Sequence, residues 1–321
     1  MTTRRTVLAG LALPAIAQAQ SPRPTRILVG FPPGSGLDLM TRLIAERLPA
    51  RLNRPVLVEN RPGGGSRVAA EALARGPGDG SLLMMAPIVV PVFFPFLYAS
   101  LPFDPVRDIA PVAMVTSFNF ALAVRADHPA RNLAEFITWA RAQGDRASYG
   151  SLSAGTPAHF LGVLFNRATG TRMEHVPYRG SGPMVLALLG GEIPCGFTTT
   201  ASLVPHLQDG SLRALAVTGA NRSPLLPDVP RFAETGLNLG DMGEAEMWYG
   251  LFAPGTTPPP VIKPIAEAVL AVVAEPETIA RLRALDVPPR PLGPAAFAAA
   301  IQADLARWGP IIRGTGFRLE D

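Results

Sequence analysis

The strongest constraint on this chain is a repeated alternation. Short apolar runs lead through glycine- or proline-rich turns into helices with one apolar face, the sign of parallel sheets covered by helices on both sides. Arg26 to Phe31 reads as a strand and Pro32-Pro33-Gly34-Ser35-Gly36 as its turn. The helix that follows runs through about Leu52, with Leu37, Met40, Ile44 and Leu48 at helical spacing. Val56-Leu57-Val58 and Ser81 to Met85 read as further strands, with a helix from Ser66 to Arg75 between them, entered through Gly63-Gly64-Gly65. Leu212 to Thr218 is β in its Leu-Ala-Val content, and a Pro-rich segment follows from Ser223 to Pro230. Helices are predicted from Asn132 to Gln143, Pro157 to Thr169, Ser181 to Leu189 and Ala295 to Trp308. The first opens on a capping box, Asn132 with Glu135 three residues on. Without a leader the 321-residue chain keeps about 300 residues, roughly twice an ordinary domain, so two domains with separate cores, and a cleft between them, are expected.

The N-terminus reads as an address. Arg4 and Arg5 form a positive start, Val7 to Ala19 is apolar but shorter than the ~20 residues of a membrane span, and Ala17-Gln18-Ala19 is a small-x-small cleavage site. A signal peptide over 1–19 and a periplasmic location are therefore expected. Paired arginines occur in twin-arginine leaders, but Thr6-Val7-Leu8 lacks the bulky follow-on, so both secretion routes stay open. Cys195 is the only cysteine, which rules out an intramolecular disulfide and fits a small, buried apolar residue. Arginine supplies all but one of the 29 basic residues, yet net charge is only +4. The charges are spread without the one-signed stripe or the aromatic-interleaved basic motif that nucleic-acid binding needs.

Function becomes readable at turns running from a strand into a helix, because free amides and the positive helix end together make an anion site. Two turns qualify: Phe31-Pro32-Pro33-Gly34-Ser35-Gly36-Leu37-Asp38, and Tyr149-Gly150-Ser151-Leu152-Ser153-Ala154-Gly155-Thr156-Pro157. Pro177-Tyr178-Arg179-Gly180-Ser181-Gly182-Pro183 is a weaker third. Nucleotide binding fails because Leu39 stands where the dinucleotide fingerprint needs its third glycine, and no phosphate-loop motif occurs. Ser151-Leu152-Ser153-Ala154-Gly155 approaches a serine-hydrolase elbow, with His159, His175 and His206 downstream. It lacks the first glycine, and only His206 could follow Ser153 and an acid in the usual order. No metal cluster is expected from four scattered histidines and one cysteine, and no cofactor motif is present.

Seven segments occur in order. They are the Phe31–Asp38 turn, Val58-Glu59-Asn60-Arg61-Pro62-Gly63-Gly64-Gly65, Phe103-Asp104-Pro105-Val106-Arg107-Asp108, His175-Val176-Pro177-Tyr178-Arg179-Gly180, Leu212-Arg213-Ala214-Leu215-Ala216-Val217-Thr218, Leu226-Pro227-Asp228-Val229-Pro230 and Trp248-Tyr249-Gly250-Leu251-Phe252-Ala253-Pro254. Together they resemble the Bug family, the extracytoplasmic substrate-binding proteins of tripartite tricarboxylate transporters, over nearly all of the mature chain. The resemblance implies a type II periplasmic-binding-protein fold: two α/β domains that close on a small carboxylate like a Venus flytrap. One domain would comprise 26–118 plus 222–321, and 119–221 would form the other, inserted domain. It also implies a binding function without catalysis, integral-membrane transporter subunits as partners and a monomeric receptor. A carboxylate sensor signalling through a membrane partner would share the same cleft.

Carried over from the family, the ligand is held by amides, hydroxyls and water, with little use of an arginine clamp. Phe31, Gly34, Ser35, Gly36 and Asp38 would form one wall, and Ser151, Ser153, Gly155, Thr156 and Ala158 the other. Tyr178, Gly180, Ser181 and Trp248 are further candidates. Asp38 has a competing role as a brace in the first turn of its helix, Phe31 as core, and Arg179 is the rival anchor. After Met85 the family commonly has Gly and then Ser or Thr. Here Ala86 and Pro87 remove donors, Ser151-Leu152-Ser153-Ala154-Gly155 departs from the usual second turn, and Met247 replaces a frequent Ser. Fewer donors and more apolar wall point to a ligand less polar than citrate, an aromatic or branched monocarboxylate.

Overall fold

The structure, a computed structural model, describes residues 23–319 apart from Ala245. The leader read in residues 1–19 lies outside the described residues. Eleven strands are divided between two sheets. In chain order they are β1 (Thr25–Val29), β2 (Val56–Asn60), β3 (Leu82–Pro87), β4 (Ile109–Phe118), β5 (Phe120–Arg125) and β6 (Ser148–Ser151). They continue with β7 (Glu174–Pro177), β8 (Cys195–Thr199), β9 (Leu212–Val217), β10 (Met247–Pro254) and β11 (Pro289–Leu292). The first sheet has the order β11-β4-β10-β3-β1-β2, and the second the order β7-β6-β8-β5-β9.

The sheets are mixed, which corrects the purely parallel expectation. In the first, β1 runs parallel to β2 and β3, whereas β10 runs antiparallel to β3 and β4. In the second, β6 is parallel to β7 and β8, whereas β5 is antiparallel to β8 and β9. The edge strand β11 is also antiparallel to its neighbour β4. For β5 and β10 the topology gives the reason. The parallel strands of both sheets direct their carboxyl ends at the space between the sheets. A strand by which the chain arrives from the other sheet starts in that space and must run the opposite way. β5 is such an entry strand, separated from β4 by Asn119 alone, and β10 is the return.

Aromatic packing and a reciprocal pair of hydrogen bonds stiffen this crossing. The Phe118 ring stacks on Tyr249 at 4.0 Å and meets Phe120 edge-on at 5.5 Å. Phe120 N donates to Thr218 Oγ1 at 2.9 Å, and Thr218 N donates back to Phe120 O at 2.8 Å. The last described residues bridge the two halves. Leu319 N donates to Leu97 O at 2.9 Å, at the end of the helix Phe94–Leu97 that follows β3, and the Phe317 ring lies edge-on to His159, in a helix of the second half, at 4.4 Å.

Local signals account for most helix boundaries. The helix Leu133–Gln143 starts where predicted, with Asn132 Oδ1 accepting from Glu135 N at 2.9 Å. The reciprocal bond comes from one residue further upstream, Arg131 N to Glu135 Oε2 at 2.7 Å. The helix expected through Leu52 is broken into Gly36–Ala45 and Pro49–Leu52, the second beginning at a proline that suits a first turn and not a helix interior. Conversely, the last helix extends past Trp308 to span Pro294–Thr315, carrying Pro310 inside it. Trp308 and Ile312 are both buried, and their packing outweighs the backbone bond that a proline removes.

Candidate functional site

A cavity of about 480 Å³ lies where the carboxyl ends of the two sheets meet. Gly30, Phe31, Pro32 and the run Pro62 to Gly65 wall it on the first sheet's side, and Leu152, Ser153, Tyr178, Arg179, Gly180 and Pro183 on the second's. This is the place that an α/β sheet reserves for ligands, outside the carboxyl edge of its strands. Two other recesses, beside Phe94 to Asp108 and beside Ala233 to Glu244, are each walled by a single stretch of chain.

The seam around the cavity is tight, and its glycines show why. A Cβ on Gly180 would lie 3.0 Å from Pro32 Cδ and 3.8 Å from Phe31 Cδ1. A Cβ on Gly65 would lie 3.4 Å from Ser153 Oγ and 3.8 Å from Thr156 Cγ2, and one on Gly36 3.2 Å from Ala201 Cβ. Gly64 and Gly65 also adopt positive φ, +54° and +61°, a conformation that disfavours any side chain. Glycine here lets the two halves approach to backbone distance.

Five of the sequence-derived candidates line the cavity: Phe31, Ser153, Tyr178 and Gly180, joined by the rival anchor Arg179. Phe31 is buried two residues past the end of β1, packed in the core and also lining the cavity. The remaining candidates support the turns or lie deeper. Gly34 is exposed, with φ +81°, and gives its N–H to Asp38 Oδ2 at 2.9 Å. Ser35 caps the helix, its Oγ accepting from Asp38 N at 3.3 Å. Asp38 is the brace. Besides the Gly34 amide its carboxylate accepts from Arg42 Nε at 3.0 and 3.1 Å and from Asn60 Nδ2 at 2.8 Å, and Asn60 also donates to Phe31 O at 3.0 Å. Burial would raise the Asp38 pKa, but these donors outweigh it and hold the carboxyl below its usual range.

In the second turn Thr156 Oγ1 donates to Ser153 O at 2.7 Å and closes the loop. Gly155, at φ +72°, gives its N–H to His159 Nδ1 at 3.3 Å and packs against Leu97 and Leu319. Ser151 and Ala158 are fully buried, and Ser181 is nearly so at the head of its helix, Ser181–Gly190. Ala86 is buried within β3, opposite Gly250. Trp248 is buried in the first sheet's core, with its indole N–H on Asp304 Oδ2 at 2.7 Å and Phe297 edge-on at 5.0 Å. None of these residues is part of the cavity wall.

Sequence reasoning passed over Gly30, Pro62 to Gly65 and Leu152, and the stretch Thr199 to Ser202 that faces Gly36. A signal was present: Thr198-Thr199-Thr200 is a hydroxyl-rich strand-to-helix turn of the same kind as the two recognised. Cys195 is buried as expected, with its Sγ against Ser148 O and Met173 Sδ, and burial pushes the thiol pKa up.

The histidines are not arranged for hydrolysis. Ser153 lines the cavity, whereas His206 pairs loosely with Asp209, at 3.9 Å. His175 Nε2 does approach a serine, Ser151 Oγ, at 2.7 Å, but that hydroxyl also lies 3.1 Å from Ser153 O. With one hydroxyl proton, both contacts are satisfied together in the tautomer in which His175 Nε2–H donates to Ser151 and Ser151 donates onward. Burial and the neighbouring His159 lower the His175 pKa to about 3, and burial lowers that of His159 to about 4. Among the described residues no three His, Cys, Asp or Glu side chains gather as a metal site, and no helix is long and apolar enough to cross a membrane.

Two α/β layers meeting edge to edge around a cavity, with crossing strands β4–β5 and β9–β10, define a type II periplasmic-binding-protein fold. Residues 40–317 match the family described as the tripartite tricarboxylate transporter family receptor, and the chain belongs to that family. Protein BugT of Bordetella pertussis is 30% identical over 313 residues, 97% of this chain and 95% of that protein. Among solved structures, R. palustris Rpa4515 with adipate is 28% identical, with a TM-score of 0.87 over 92% of this chain and 99% of that one. MatC from Rhodopseudomonas palustris, with bound malate, is also 28% identical, with a TM-score of 0.84 over 91% of this chain and 99% of that one. The family is one of substrate-binding receptors.

Proposed function

We propose that the protein is an exported receptor that captures a small carboxylate between two α/β domains, turns nothing over, and delivers its cargo to integral-membrane subunits of a tripartite transporter. The observation that carries this reading is the cavity between the Gly30–Pro32 and Leu152–Ser153 turns, each at the carboxyl end of a strand. Anions suit such a place because helix-start amides converge there. The adipate and malate bound by the two R. palustris relatives agree in chemical class. The domains are 26–118 with 222–321, and 119–221 inserted, a division supported by which sheet each strand joins. The receptor works as a monomer in the periplasm.

Native mass spectrometry of the protein purified from a periplasm should reveal a retained carboxylate at one per chain. Calorimetry on ligand-free protein with mono-, di- and tricarboxylates should give stoichiometric binding. Silence across the whole panel would refute the reading, as would steady ester hydrolysis abolished by Ser153→Ala.

A further inference from the structure

The second turn carries Leu152 and Ser153 into the cavity wall and then enters the helix Pro157–Thr169. Its backbone is fixed without the usual cap. Thr156 stands at the cap position, but its hydroxyl makes no bond to the helix amides and instead donates back to Ser153 O at 2.7 Å. The Gly155 amide is taken by His159 Nδ1 at 3.3 Å. In a capping box the side chain three residues past the cap reaches back to an upstream amide. Here an imidazole does so, to the residue just before the cap. Gly155 itself holds φ at +72°, and Leu97 and Leu319 of the first half close over it, so that a Cβ there would lie 2.9 and 2.8 Å from their Cδ1 atoms. The His159 ring is buried, stacked on His175 at 4.0 Å and met edge-on by Phe317 at 4.4 Å. An imidazole nitrogen that accepts an amide proton carries none of its own, so the ring that holds this turn is neutral.

We infer that His159 is a positioning residue for ligand binding: its bare Nδ1, by holding the Gly155 amide, keeps the Leu152–Gly155 backbone in the shape that walls the cavity on the second sheet's side. The inference rests on the reading of this cavity as the carboxylate site and adds the group that shapes one wall of it. His159 does not itself line the cavity, so it acts through the turn. Ser153 meets the first half there, its Oγ lying 3.4 Å from where a Cβ on Gly65 would stand. A turn released at Gly155 therefore shifts both the wall and the seam. His175 ties the same loop from the other side, with Nε2 2.7 Å from Ser151 Oγ and that hydroxyl 3.1 Å from Ser153 O.

Two substitutions separate the acceptor from the packing. His159→Asn sets an amide oxygen close to the place of Nδ1 and gives up most of the ring contacts, whereas His159→Leu keeps apolar bulk and loses the acceptor. Three measurements on ligand-free protein read the outcome: hydrogen exchange at the Gly155 amide by NMR, the urea midpoint, and calorimetry with adipate, malate, citrate and benzoate. His159→Leu should speed exchange at Gly155 and weaken the tightest-binding of these acids, each by about tenfold or more, as expected when a buried amide loses its acceptor. Its urea midpoint should nonetheless lie above that of His159→Asn, which buries a polar group in the ring's place. His159→Asn should keep exchange and affinity within about threefold of the unaltered protein. Should His159→Asn fail to fold, His159→Gln, which reaches back as in an ordinary capping box, takes its place. Affinities that follow the urea midpoints, or exchange or affinity unchanged in His159→Leu, overturn the inference and leave the carboxylate reading intact. Failure of all four acids to bind the unaltered protein overturns both.

Discussion

Ser151 Oγ and His175 Nε2 lie 2.7 Å apart beneath the second turn, and the His175 ring stacks on His159 at 4.0 Å. The His159 ring is buried and the His175 ring half-buried, and desolvation favours the neutral form of both, with pKa values lowered to about 4 and about 3. In an unfolded chain each would protonate near the ordinary histidine pKa of ~6.5. Between pH 6.5 and 4 the unfolded state therefore binds more protons, and stability falls as pH falls. Asp286 and Asp304, whose pKa values burial raises, act in the opposite sense, so the informative comparison is with a variant. The urea midpoint should drop from pH 7 to pH 4.5, and the drop should shrink in His175→Gln, whose amide keeps a donor for Ser151. An undiminished drop would mean that the histidine pair does not set acid lability.

Asp38 braces the first turn through Gly34, Arg42 and Asn60 and does not line the cavity. Replacing it with Asn turns one of its two acceptor oxygens into an NH2 that faces other donors and removes the charge that Arg42 pairs with. Asp38→Asn should cost about 1.5–3 kcal/mol in urea denaturation, the range for hydrogen bonds to charged groups. Arg42→Ala should cost less, because its guanidinium side is half-exposed and solvent screens it. Equal stability of Asp38→Asn and the unaltered protein would remove the brace.

Gly36 is a closure contact. It has no positive φ to preserve, but a Cβ there would press on Ala201 across the seam. Gly36→Val should fold normally, lose about tenfold or more in ligand affinity through overpacking of the closed form, and show less compaction in small-angle scattering when ligand is saturating. Full compaction with unchanged affinity would show that the seam yields there.

Trp248 belongs to the first sheet's core. Trp248→Phe removes the indole donor to Asp304 and should cost about 1–3 kcal/mol of stability. Ligand affinity should stay within roughly twofold, as expected for a site that shares no contacts with the cavity. A large affinity loss in folded Trp248→Phe would return this tryptophan to the binding site.

The sequence alone determined what depends on local chemistry. Glycine spacing and helix-start residues marked the strand-to-helix turns; Asn132 with Glu135 placed a helix start, and Pro157 and Ser181 opened helices where predicted. These signals act over three or four residues and need no partner. The ordered motifs also carried the family and the fold. Only the tertiary structure decided the rest. The short apolar runs Phe120–Arg125, Cys195–Thr199 and Met247–Pro254 become strands because neighbouring strands pair with them, and no periodicity distinguishes such runs from buried helix. The direction of β5 and β10 follows from where the chain enters each sheet. Which candidates line the cavity was likewise a long-range matter. Asp38 meets Asn60, Trp248 meets Asp304, Gly65 meets Ser153 and Gly180 meets Pro32 across large separations in sequence, and those contacts, not the residue types, sorted brace and core from cavity wall.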